Sequence, residues 1–146
     1  MKTVVLYYTF GGATKKEAER LAAELGTEAV RVREKKRRGL LGAFIPGIPR
    51  AMKRKASAIQ PLGIDFAAYD RIVVGAPVWA GYPAPAFNAI VKLLPKGREV
   101  ELFLCSAGGE TPDSSAGTVK LVEEAGCSVV SYRDVRTGQT PGKLKE

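Results

Sequence analysis

The chain has 146 residues, 45% of them hydrophobic, which suits one domain burying roughly 70% of its unfolded surface. No apolar stretch approaches the roughly 20 residues of a membrane span, and the absence of histidine excludes Ser-His-Asp and Cys-His triads. The formal net charge of +8 is concentrated: Arg31 to Lys55 holds ten Lys or Arg against Glu34 alone, a local +9, so the remainder sums to −1.

Cys105 and Cys127 are the only cysteines. Without CxxC spacing or histidine they argue against a structural zinc site, and no metal site is expected. Cys105, in the apolar run "VELFLC", reads as a buried and inert thiol. The N-terminal "MKTVVLYYTF" has one lysine and no small-residue cleavage site, so it reads as a strand rather than a signal peptide. A cytoplasmic location follows as the default expectation, with both thiols reduced.

In chain order, "TVVLYY" is β-branched, aromatic and uncharged, and predicts a buried strand. "TKKEAERLAAELG" predicts an amphipathic helix: Ala18, Leu21, Ala22 and Leu25 share one face, and Gly26 supplies the C-cap. "EAVRVR" alternates like a strand at a sheet edge. The basic segment follows without a period; residues 31–62 read as a Gly/Pro-containing insertion or loop in place of a second helix. "DRIVVGAPV" predicts a third, fully buried strand. Pro83 and Pro85 open a helix to Leu94, with Phe87, Ile90, Val91 and Leu94 as its apolar face. "EVELFLCS" is a fourth strand, residues 115–125 a helix ended by Gly126, and "CSVVSYRDV" a fifth strand.

Strands alternating with helices imply a single α/β domain over residues 1–146, with a parallel sheet covered on both faces. Such open sheets bind ligands beyond the C-terminal ends of their strands, which directs attention to loops 9–14, 75–83 and 105–114. The first, "YTFGGAT", can present backbone amides to an anion, backed by about half a positive charge at the helix N-terminus. It matches neither GxxxxGK[ST] nor GxGxxG. Thr14 and Glu17 also fit a capping box, so a plain turn explains the loop equally well. In the second, Trp79 stands between Val78 and Ala80 in what reads as a strand-to-helix loop. It either offers a flat face to an aromatic ligand or folds back over the sheet edge.

"YYTFGGATKKEAERLA" and "YDRIVVGAPVWAGYPAPAFNAIVKLL" resemble the flavodoxin family, the first its phosphate loop and the second the stretch bordering its flavin ring. "ELFLCSAGGETPDS" resembles the third loop that contacts FMN. The resemblance implies an open five-stranded parallel sheet of order 2-1-3-4-5, the order of flavodoxin itself, with FMN as cofactor. It implies that Thr9, Gly12 and Thr14 hold the FMN phosphate, with Phe10 in the same loop and amides from Gly11 and Ala13. Pro77, Val78, Trp79, Ala80 and Gly81 would line the ring, with Trp79 or Tyr82 stacked on it. Ser106, Ala107, Gly108 and Gly109 would approach from the other side. Electron transfer needs no catalytic acid or base, and none is assigned; Glu110 and Asp113 read as solvated or capping residues.

The chain departs from the family at three places. Gly11 and Ala13 stand where the family commonly has threonine and asparagine, which removes side-chain donors worth about 1.5–3 kcal/mol each. After the fifth strand only "TGQTPGKLKE" remains in place of a helix, so apolar surface beside strand one is expected to lie open, and a homodimer would cover it. The basic clusters Lys35–Arg38 and Arg50–Lys55 read as a solvated surface loop, as a docking site for an acidic redox partner, or as a peripheral membrane contact. No nucleic-acid reader motif is present. The function expected is electron transfer between redox partners. The alternatives are an FMN-dependent NAD(P)H:quinone or flavin reductase, and a flavin-free interaction module that keeps only the fold.

Overall fold

The computed structural model describes residues 1–36 and 46–137. Strand β1 (Thr3–Tyr7) leads into α1 (Ala13–Leu25) and the short β2 (Ala29–Arg31). A five-residue helix α2 (Ile48–Met52) and a 3-10 turn (Phe66–Ala68) precede β3 (Arg71–Trp79). Then come β4 (Tyr82–Pro83), α3 (Pro85–Leu93), β5 (Glu99–Ser106), α4 (Ser115–Glu124) and β6 (Ser128–Arg136).

The five strands of the main sheet are all parallel and lie in the order β2-β1-β3-β5-β6, which is the 2-1-3-4-5 order expected. The two-residue β4 was not expected. It folds back antiparallel on the end of β3, pairing Val78 with Pro83 and Trp79 with Tyr82. Trp79 is therefore the last residue of a strand rather than part of a loop, and Pro83 belongs to β4 while Pro85 opens α3.

Alternation along β1 divides the core. Val4 and Leu6 face Ile72, Val74, Phe87, Ile90 and Val91 beneath α3, joined by Val122 of α4. Val5 and Tyr7 face Ala18 and Ala22 of α1, with Val73, Phe103 and Cys105. Helices thus cover both faces. The predicted apolar face of α3 is borne out, with Phe87 and Ile90 fully buried. On α1 the outer end differs: Leu25, one residue before the Gly26 cap, is exposed.

The apolar surface expected to lie open beside strand one is closed among the described residues. Val5 and Val73 are 0% and 1% exposed. The Phe103 ring fills the space over Gly75, where a Cβ would come within 2.0 Å of it. The Arg133 guanidinium covers that ring at 5.8 Å and donates to Glu17 of α1 at 3.0 Å. A flat phenyl ring and a salt-bridged arginine thus shield the sheet there, and the homodimer loses the open apolar face that motivated it. Residues 138–146, which hold nearly all of the segment expected to replace a helix, lie outside the described residues.

Candidate functional site

The C-terminal ends of β1, β3 and β5 point the same way, because the three strands are parallel neighbours. Beyond β1, the Tyr8 amide still donates to Gly75 O at 3.1 Å, which keeps the chain against β3 for one more residue. The buried Thr9 then turns its hydroxyl onto its own loop and accepts the Gly12 amide at 3.1 Å. Gly11 and Gly12 take φ 97° and 102°, a region that side chains bearing Cβ rarely enter. Gly11, read from sequence as a lost hydroxyl donor, is the residue this backbone path requires.

Helix α1 starts directly behind these glycines. Gly12 is its N-cap, no side chain caps it, and its first turn holds no acidic residue. Its first amides have no intrahelical acceptor, so they and the helix dipole present positive potential to the loop. The expected capping box does not form. Thr14 lies inside the helix and is buried, and its hydroxyl hydrogen-bonds the Cys105 thiol. Glu17 instead binds Arg20 at 2.8 Å and Arg133 at 3.0 Å. The hydrogen bond from Arg20, aided by that from Arg133 and opposed by burial, holds its carboxyl below the usual value. The plain-turn account of Thr14 and Glu17 thus loses its basis, and what remains is an uncapped, acid-free helix end behind two left-handed glycines.

The second loop is a two-residue hairpin. Ala80 and Gly81 take φ 52° and 87°, the pair of positive values that a type I′ turn demands. For Ala80 this conformation carries strain of about 1–3 kcal/mol. Ser114 Oγ donates to Gly81 O and ties the hairpin tip to the start of α4. Pro77 and Val78 lie in β3, and Pro77 O accepts the Ala84 amide at 3.0 Å. Trp79 is only 4% exposed; it meets Phe10 and Tyr8 edge-on at 5.6 and 6.3 Å and packs with Ala51, Ala84 and Ala86. Of the two rings proposed to stack on a ligand, Trp79 is therefore a core residue here, and Tyr82 is the one that remains partly exposed.

The third loop leaves β5 at Ser106, whose Oγ accepts the Gly109 amide at 2.9 Å. Ala107 and Gly108 are exposed. Thr111 is buried and hydrogen-bonds Asp134 and Tyr132, which anchors the loop to β6. Glu110 and Asp113 are both exposed, and the N-cap of α4 is Ser114, without a side-chain cap bond.

Sequence reasoning missed the part that the basic segment plays in this region. The chain leaves at Lys35 and returns at Ala58, closed by Lys35 N to Ala58 O at 2.9 Å and Gln60 N to Arg33 O at 2.8 Å. Its described half is not simply a solvated loop: Ala51 of α2 is fully buried in the Trp79 cluster. Asn88 Nδ2 donates to Lys55 O at 3.2 Å, and Arg54 reaches α4. Glu34, the one acid of the segment, is buried and accepts the Tyr8 hydroxyl at 2.7 Å. Lys35, Lys36, Lys53 and Lys55 remain exposed, while Arg37 and Arg38 lie outside the described residues. Ile48 and Ala51 were the available apolar signal that the described part of the segment has a buried side.

No protein-family model matches the sequence, and no curated protein matches it. Among solved structures, a flavoprotein from Lactobacillus acidophilus in complex with FMN is 30% identical, with 91% of this chain and 93% of that one covered at a TM-score of 0.71. A Bacteroides eggerthii protein is 20% identical, covering 97% of this chain and 91% of its own with a TM-score of 0.79. Oxidised flavodoxin 1 from Bacillus cereus is 14% identical, covers 98% of this chain and 90% of its own, and has a TM-score of 0.56. The latter two comparisons speak to fold alone. Among the described residues no helix is long and apolar enough to cross a membrane.

Proposed function

This chain belongs to the flavodoxin-like FMN-binding flavoproteins, and from that premise we propose that it binds FMN across its three strand-end loops and passes electrons between redox partners. The observation that carries the reading is the α1 N-terminus: two left-handed glycines, no capping side chain and no acid in the first turn. A phosphate monoester suits those amides and that dipole.

In this reading Thr9 shapes the loop by accepting the Gly12 amide. The amides of Ala13 and Thr14 would then hold the phosphate. The hairpin tip at Ala80, Gly81 and Tyr82 would border the ring on one side and Ser106 to Gly109 on the other. Bound FMN supplies one- or two-electron chemistry, and the chain's task is to orient it and set its electrostatic surroundings. The exposed Lys35, Lys36, Lys53 and Lys55 provide a cationic surface that steers an acidic redox partner.

Titration of the purified protein against FMN tests this. Saturable quenching of flavin fluorescence at one FMN per chain is expected. At a hundredfold excess over Kd, linkage adds about 2.7 kcal/mol of stability, or about 8 °C in Tm for a domain of this size. With the holoprotein in hand, electron transfer to an acidic partner should slow as salt rises. A colourless protein whose melting and fluorescence response ignore saturating FMN would sink the cofactor reading; a salt-insensitive rate would remove the docking surface.

A further inference from the structure

Arg54 sits at the hairpin tip in a setting that stability does not account for. Its backbone takes φ 54°, in the left-handed region. Its half-buried guanidinium donates from Nη1 to Thr118 Oγ1 at 3.0 Å and from Nη2 to Ser114 O at 3.1 Å, and it lies 5.3 Å from the centroid of the Tyr82 ring. All of these neighbours are neutral, and among the described residues no carboxylate pairs with it. The N-terminus of α4, where it docks, is the positive end of that helix and repels a cation. Burial also disfavours its charge. Helix α4 nevertheless leaves it room: a Cβ on Gly117 would stand 2.9 Å from Nη2. Backbone strain, desolvation and helix-end repulsion thus fall on one residue, and its side chain covers Tyr82, a residue of the hairpin assigned to border the ring.

We propose that Arg54 sets the reduction potential of the bound flavin by fixing an uncompensated positive charge beside the Ala80–Tyr82 hairpin. The assignment rests on the FMN reading above. Reduction by two electrons with uptake of one proton adds one net negative charge to the ring; the electrons come from the redox partner, or from dithionite in the test. A fixed cation favours that more negative state and makes the flavin easier to reduce. Arg54 acts at a distance, as a tuning residue.

The experiment measures FMN affinity and reduction potential, by equilibration with a reference dye, for wild type and four variants. Arg54→Gln removes the charge. Arg54→Lys keeps it with altered geometry. Gly117→Asp sets a carboxylate beside the guanidinium and favours the α4 N-terminus, while Gly117→Ala controls for bulk. R54Q and G117D should each lower the preference for reduced over oxidised FMN roughly tenfold, about 30 mV for a two-electron couple. R54K and G117A should stay near wild type. If R54K shifts as far as R54Q, or R54Q and G117D bind FMN with an unmoved potential, the assignment is overturned while the cofactor reading stands. Failure of wild type to bind FMN overturns both. G117D keeps the test available should R54Q not fold.

Discussion

At the α1 end of the site the shaping contact, Thr9 Oγ1 with the Gly12 amide, closes within three residues. At the β3–β4 hairpin the contacts span 33 to 64 residues, joining Lys55 to Asn88, Gly81 to Ser114, and Arg54 to Ser114 and Thr118. The first end is specified by residue types in a row and costs little chain entropy to form. The second exists only once α2, the hairpin and α4 have all docked, so it carries the entropy of closing long loops. Local opening should begin there, and the glycine-turn end should survive it.

The largest expected effect breaks the hairpin end. Trp79→Ala removes the central side chain of the cluster formed with Tyr8, Ala51, Ala84 and Ala86, and a buried tryptophan truncated to alanine costs about 3–5 kcal/mol. Urea unfolding should show that loss. Hydrogen exchange should show protection falling across residues 46–57 and 79–84 more than across 9–14. A loss below about 1 kcal/mol, or an even loss of protection, would mean that the two ends are not separately stabilised.

The next effect strikes the other end without unfolding it. Ala13→Asp adds an acid to the first turn of α1, which has none. The helix dipole rewards that acid by about 0.3–1 kcal/mol, so melting of the apoprotein should stay level or rise. The same carboxylate occupies the amides and repels the phosphate. Losing about 2–3 kcal/mol of charge-assisted hydrogen bonding should weaken FMN roughly 30- to 150-fold. Stability and affinity therefore move in opposite directions, which a merely structural turn would not produce. Unchanged affinity would place the phosphate elsewhere.

These two regions also differ in how far the sequence reveals them. The strand order, the helix behind the glycine turn and the positions of the three loops follow from periodicity and punctuation, which act over a few residues. Gly12 and Thr14 are placed at the predicted helix start for that reason. The capping box failed because Gly12, not Thr14, is the N-cap, and Glu17 is turned to Arg20 and to Arg133 of β6, 116 residues away. The open apolar face failed for a similar reason: Phe103 lies flat over Gly75, a contact that no local pattern announces. Trp79 reads equally as a ligand face or as a ring folded over the sheet edge, and the packing of Phe10, Tyr8 and Ala51 around it is not visible in any local pattern. Arg54 carries no local signal at all, being one of ten cations in its segment.

The smallest effect sharpens the link between the glycine-turn end and the core. Cys105 lies under α1, and burial pushes its thiol from 9.0 up to about 11, partly offset by the hydrogen bond with Thr14. This is an acid whose folded pKa is raised, so the fold favours its neutral form. Below pH 9 both states keep the proton and stability is unaffected. Above it the unfolded chain releases the proton while the folded chain holds it, and stability falls until about pH 11. The fall amounts to about 1.4 kcal/mol by pH 10. Tyr7 and Tyr132, also raised by burial, add to the decline at higher pH. Cys105→Ala should flatten the stability curve between about pH 9 and 11, read by urea midpoints at each pH, whatever the substitution costs at neutral pH. A slope that survives the substitution would assign the decline to Cys127, whose thiol burial also raises, or to Tyr7 and Tyr132.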